Sequence, residues 1–227
     1  MNAKSILCDL KKRANPKNAE GMKRFGITGK NMLGVSVTWL RQYAKSIPKN
    51  HELAQTLWDV GYHEARILAS ILDEPAQVTP EQMDAWMKDF DSWDVCDQTC
   101  GNLFDKTPFA WKKATTWTQR EKEFQRRAGF ALMATLAWHD KTSPDSKFEP
   151  FFPLIVKYAT DERNFVRKAV NWALRQIGKR NKKLHQKAIQ TATQILDAHP
   201  QSKSAKWIAR DALRELQNED TIQRLKS

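Results

Sequence analysis

Apolar residues along this chain recur at three- and four-residue intervals almost everywhere, the period of one buried face of an α-helix. The spacing predicts short helices over 35–47, 52–58 and 63–72, with Gly61 placed as a C-terminal stop. Thr79-Pro80-Glu81-Gln82 reads as a helix start, with Pro in the first turn and an acid after it. Met83, Trp86, Met87 and Phe90 then follow at i, i+3, i+4 and i+7. Ser92 is placed to cap the next helix, which runs to Leu103. Further helices are predicted over 108–117, 120–139, 151–158, 162–179, 184–198 and 203–216. No period-two alternation bounded by hairpin turns occurs, so no sheet is expected.

The predicted helices come in pairs. Starts near Tyr62, Trp93, Glu123, Asn164 and Lys203 recur every roughly 30 to 40 residues, the pitch of two-helix repeats. Spacing alone carries this, since no repeated sequence signature accompanies it. The expected fold is all-α, a curved solenoid of helical hairpins whose inner face forms a groove. With no shift of composition to mark a boundary, residues 1–227 read as a single domain, and 1–18 as a loosely attached basic segment.

Charge narrows the partners. Lys and Arg number 38 against 26 Asp and Glu, for a formal net charge of +12, which suits nucleic acid or an anionic membrane better than an acidic protein. The membrane is disfavoured: no window approaches the roughly 18 apolar residues of a span, and neither end carries an export or lipidation signal. Three cysteines in no framework pattern point to a reducing cytoplasm, and to the nucleoid if the source is bacterial.

Several residues stand where core packing alone would not put them. In 165–179 the core face is Val166, Ala169, Val170, Ala173, Leu174 and Ile177, whereas Trp172 shares the opposite stripe with Lys168, Arg175 and Lys179. In 203–216, Ala205, Ala209, Ala212, Leu213 and Leu216 face the core, leaving Lys203, Trp207, Arg210 and Arg214 on the other side. A Trp so placed can simply cover a neighbouring helix with lysine stems beside it. Two in basic stripes on successive hairpins favour a surface that tracks a nucleic-acid backbone. Trp93 and Asp97 share a face, i to i+4, at the edge of a core side made of Val95, Cys96, Thr99, Cys100 and Leu103. Asp97 could be an ordinary solvated acid, and Arg127, at the start of a nearly apolar helix, a structural ion pair.

Other chemistries have little foothold. Cys96 and Cys100 lie on the apolar side with no second ligand pair, so buried thiols fit better than zinc. His63-Glu64-Ala65-Arg66 lacks the second His of a metalloprotease helix. GxGxxG, GxxxxGK[ST] and GxSxG are absent, and no cofactor or metal is called for.

LWDVGYHEARILAS (57–70), SWDVCD (92–97), FQRRAGFAL (124–132) and NFVRKAVNWALRQIGK (164–179) together resemble the AlkD-type DNA alkylation repair glycosylases. The likeness spans roughly residues 19 to 216 and implies HEAT-like two-helix repeats. It matches the family's catalytic Asp to Asp97, its lesion-site tryptophans to Trp93 and Trp172, and its active-site Arg to Arg127, which Ala128 follows. An N-terminal aromatic, commonly Tyr, falls at Phe25 without the hydroxyl. Arg66, Lys168, Arg175, Lys179, Lys203, Trp207, Arg210 and Arg214 are the implied DNA contacts. The implied activity is hydrolytic excision of cationic N3- or N7-alkylpurines from duplex DNA by a monomer. Some relatives bind unusual DNA structures without glycosylase activity, so a non-catalytic binder of branched or distorted DNA is the alternative, and a protein-binding scaffold a third.

Overall fold

A computed structural model describes residues 2–29 and 31–225. Among them there is no strand, and the helices belong to two compact units, Met1–Phe109 and Ala110–Ser227.

The first unit holds α1 (Ala3–Lys12), α2 (Pro16–Lys23), α3 (Val37–Ala44), α4 (His51–Asp59), α5 (His63–Leu72), α6 (Pro80–Lys88), α7 (Trp93–Asn102) and a 3-10 turn at Phe104–Lys106. The segment 1–18, expected to be loosely attached, carries α1, whose Ile6 and Leu10 are fully buried and which packs on α4 and α5. Helices α3, α5 and α7 pack side by side in one layer. Behind them Trp58 of α4 stacks on Trp86 of α6, with centroids 4.0 Å apart. Gly61 ends α4 as predicted, at φ +70, a left-handed conformation that favours glycine. Thr79 caps α6 by accepting from Gln82 N at 3.1 Å.

Polar bridges at the N-terminal ends fix the register of this layer. Glu64, fully buried at the start of α5, accepts the backbone N–H groups of Leu33, Gly34 and Val35 at 2.6 to 3.2 Å. Its neighbour His63 binds Asp94 of α7 through Nε2 at 2.8 Å. Ser92, expected to cap α7, makes no cap bond; its hydroxyl instead donates to Asp94 Oδ1 at 2.7 Å. The reason is that Asp94 must accept from two sides to remain ionised while buried.

Burial would lower the His63 pKa, but the hydrogen bond to and charge of Asp94, with Glu64 and Asp91 nearby, raise it overall. For Asp94, burial raises the pKa while His63 and Ser92 bring it below the usual carboxylate range. A raised His contributes stability that is complete below its unfolded pKa of about 6.5 and is lost as pH rises through the folded value. A depressed Asp contributes above about 3.9 and loses its contribution as pH falls through the folded value. The melting temperature is therefore expected to decline as pH climbs above about 6.5, and His63→Gln to flatten that alkaline decline. Superimposable pH profiles of the two proteins would remove His63 as the cause.

The second unit holds α8 (Ala110–Trp117), α9 (Glu123–His139), α10 (Phe151–Tyr158), α11 (Asn164–Gly178), α12 (Lys182–Ala198), α13 (Lys203–Leu216) and α14 (Glu219–Arg224). Successive hairpins stack, α9 on α11 and α11 on α13, with α10 and α12 in contact behind. Small residues let α8 and α9 approach closely: a Cβ on Gly129 would lie 2.6 Å from Thr118 N. The theme of the first unit recurs here. Glu123 accepts from Phe165 N at 2.9 Å, and Glu162 from Ser204 N at 3.3 Å, so an acid of one hairpin satisfies an N-terminal amide of the next. Asn171 Nδ2 donates to Ile208 O at 3.0 Å, tying α11 to α13 in mid-helix.

Candidate functional site

In the first unit the buried side of α7 is Asp94, Val95, Cys96, Thr99 and Cys100. Trp93 and Asp97 lie at the edge of that side, partly exposed and one helical turn apart. The indole of Trp93 is held by its ring N–H, which donates to the carbonyl of Phe25 at 3.0 Å. Phe25 thus reaches this place through its backbone, and the residue is 72% exposed. The missing hydroxyl of a tyrosine is not needed for that contact. Beneath Asp97 the thiols of Cys96 and Cys100 are fully buried, and burial, with Cys96 beside it, pushes the Cys100 thiol well above its ordinary range. No metal-holding group of side chains occurs among the described residues.

Arg66 is engaged nearby rather than presented to solvent. Its guanidinium donates to Asp89 O at 3.0 Å, approaches the carboxylates of Asp89 and Asp91 within 3.8 and 3.9 Å, and lies over the Trp58 ring.

In the second unit Arg127 is buried on α9 and donates to the carbonyl of Phe165 at 2.6 Å, at the start of α11. Trp172 is half-buried on α11, outside the helix's buried set of Val166, Ala169, Val170, Asn171, Ala173, Leu174, Ile177 and Gly178. The α11 stripe adjoins that of α13. Arg175 pairs with Glu215 and lies 3.9 Å from Asp211, and Lys179 binds Glu215 at 2.6 Å. Burial would raise the Glu215 pKa, yet Lys179 and Arg175 bring it below its usual range, so its carboxylate stays charged between them. Arg214 is likewise paired with Asp211. Among the sequence-predicted contacts of this unit, Lys168, Lys203, Trp207, Arg210 and Arg214 are exposed, Arg214 with its ion pair to Asp211.

Lys203, Lys206, Trp207, Arg210, Asp211 and Arg214 line a shallow cleft of about 440 Å³, and the Arg167 guanidinium lies 5.3 Å from the Trp207 ring centroid. Lys206 and Arg167 were absent from the sequence-based set. Arg167 is signalled only by its position, one turn before Asn171 on the side that meets α13.

Paired helices stacked hairpin on hairpin, with polar ties between successive hairpins, define an all-α HEAT-like repeat protein. The chain belongs to the DNA alkylation repair enzyme family, whose model matches residues 6–216. It is similar to a solved structure described as a new family of proteins related to the HEAT-like repeat DNA glycosylases with affinity for branched DNA structures. That likeness has a TM-score of 0.72 at 21% identity and covers 85% of this chain and 83% of the other. A designed armadillo repeat protein in complex with a (KR)4 peptide aligns with a TM-score of 0.41 at 15% identity, covering 82% and 78% of the two chains. No curated protein matches the chain. No helix among the described residues is long and apolar enough to cross a membrane.

Proposed function

We propose that this protein is a monomeric DNA glycosylase that releases positively charged N3- and N7-alkylpurines, such as 3-methyladenine and 7-methylguanine, from duplex DNA. The observation that carries the reading is the partly exposed pair on α7, in a member of this family. Trp93 is oriented by the Phe25 carbonyl, and Asp97 stands one turn further on.

An alkylated purine already bears the positive charge that a glycosidase acid must otherwise supply. One carboxylate can then do what usually takes two. As the C1′–N bond breaks, its electron pair neutralises the base and leaves an oxocarbenium-like sugar. Asp97 would stabilise that cation and orient the water that adds at C1′, the water's proton passing to solvent. The Trp93 indole face would contact the deoxyribose, with cation–π attraction to the charged base. Trp172 would contact the sugar of the lesion-bearing strand and Arg127 its phosphate, for which Arg127 would have to turn from the Phe165 carbonyl it bonds to. The exposed Lys168, Lys203 and Arg210 would contact the backbone electrostatically. The locally paired Arg66, Arg175, Lys179 and Arg214 would contribute less, because each must give up a carboxylate to gain a phosphate.

A second reading is favoured by the solved structure of similar fold, described as having affinity for branched DNA. Here the chain would bind distorted DNA without cutting the glycosidic bond. Release of free methylated base from methylated duplex decides between them. The wild-type protein is expected to liberate 7-methylguanine above the spontaneous rate. DNA binding without release would leave the binding reading in place.

A further inference from the structure

The C-terminal end of the α3/α5/α7 layer carries three cations that the reaction above does not use. Arg41 of α3 reaches as far as α7, where its Nη2 donates to Gln98 Oε1 at 3.1 Å and Asn102 Oδ1 at 3.5 Å. Lys106, in the 3-10 turn, folds back so that Nζ donates to Gly101 O at 3.1 Å and to Asn102 O. Lys49, between α3 and α4, donates to Asp73 O at 3.4 Å. All these acceptors are neutral amide or carbonyl oxygens. None of the three side chains forms an ion pair among the described residues, in contrast to Arg66, Arg175, Lys179 and Arg214. Burial lowers the Lys106 pKa, and against the pull of Asp105 the charges of Lys49 and Arg41 lower it further. Cations placed so that they repel one another gain most from an anion they can share.

Their position is informative. Gln98, Gly101 and Asn102 are partly exposed on α7, as Trp93 and Asp97 are, with Asn102 turned about 140° from Asp97 around the helix. Asn102 follows Asp97 by five residues, about 7.5 Å along the helix axis. We infer that Arg41, Lys49 and Lys106 form a phosphodiester-binding subsite that grips the DNA backbone at the C-terminal end of α7. The inference rests on DNA being the substrate. It does not require base excision. Lys49 and Lys106 also cap the C-terminal carbonyls beside α5 and α7, a purely structural use of a cation, whereas Arg41 bonds only to side-chain amides.

The test uses the full chain with Arg41→Gln, Lys49→Gln and Lys106→Gln, singly and together, binding a fluorescent unmodified duplex over a salt series. Each phosphate contact contributes about 0.9 to the slope of log Kd against log salt. Because the three cations share one phosphate, the triple variant is expected to lower that slope by about 0.9, and each single variant by less. Lys106→Arg, which keeps the charge, should keep the slope. If the wild type also releases base, the protein concentration for half-maximal release should rise in step with Kd. A triple variant with wild-type slope and affinity overturns the subsite. So does a lower melting temperature with the slope intact, which would make the lysines helix caps alone. A wild type that releases no base, yet loses slope in the triple variant, supports the subsite and sinks the glycosylase reading instead.

Discussion

Asp97→Asn is expected to slow release of 7-methylguanine from duplex DNA by at least about tenfold, equivalent to ~1.4 kcal/mol of barrier. The substitution keeps the side chain's size and lies outside the buried set of α7, so folding should survive. It removes the negative charge that would face the developing oxocarbenium ion, a charge worth more in the transition state than in the bound substrate. Affinity for unmodified duplex should stay level or improve slightly, because a carboxylate no longer repels phosphates. Trp93→Phe separates two further contributions: it keeps an aromatic face but loses the N–H bond to the Phe25 carbonyl. It should fall between wild type and Trp93→Ala, with the larger deficits on cationic lesions. Full activity of Asp97→Asn on 7-methylguanine DNA would remove the carboxylate from the mechanism.

The helices from α3 to α13 were legible in sequence because each pairs an apolar face with a clear stop or start. The expected core positions of α7 (Val95, Cys96, Thr99, Cys100 and Leu103) and of α11 are buried. In α13 Ile208 takes a core place and Leu213 is only half-buried, since Ile208 lies on the side that meets α11 through Asn171. Helix α2 buries no residue and α14 spans six residues, so neither leaves a clear pattern, whereas α1 went unread although Ile6 and Leu10, one turn apart, are fully buried. What sequence could not give was partnership across hairpins. Arg175 and Lys179 look like phosphate contacts on a helical wheel, yet Glu215, some forty positions away in the chain, holds both. His63 and Glu64 resembled part of a metal motif and are instead the ties that position α5 between its neighbours. For the candidate site, Trp93 and Asp97 could be placed on one face from spacing alone, but the Phe25 carbonyl could not, because a backbone contact leaves no residue-type signal.

Glu64→Ala is expected to be the most damaging single change to stability, at about 3–5 kcal/mol. Glu64 is fully buried, and its carboxylate accepts three successive backbone N–H groups, those of Leu33, Gly34 and Val35. Alanine would leave those donors inside the protein without an acceptor, each at a cost of about 1–3 kcal/mol before relaxation. The space is too closed for solvent to take over, since Gly34 and Val35 are themselves buried. For a chain of this length, where 1 kcal/mol shifts the midpoint by about 2–4 °C, the melting temperature should drop by at least ~6 °C. Glu64→Gln keeps one acceptor oxygen but turns an N–H donor toward the same amides, so it should recover only part of the loss. The consequence extends to the candidate site. The bonds to Glu64 anchor 33–35, and that segment continues the chain from Phe25, whose carbonyl holds the Trp93 indole. Below its own melting temperature, Glu64→Ala should therefore release base more slowly than wild type, although Glu64 is no part of the candidate pair. Thermal unfolding followed by circular dichroism, with base release measured at a temperature where both proteins are folded, checks the two effects separately. A melting temperature within about 2 °C of wild type would mean the three amides find other acceptors. Unchanged release despite lost stability would mean that the Phe25–Trp93 bond holds without the anchor.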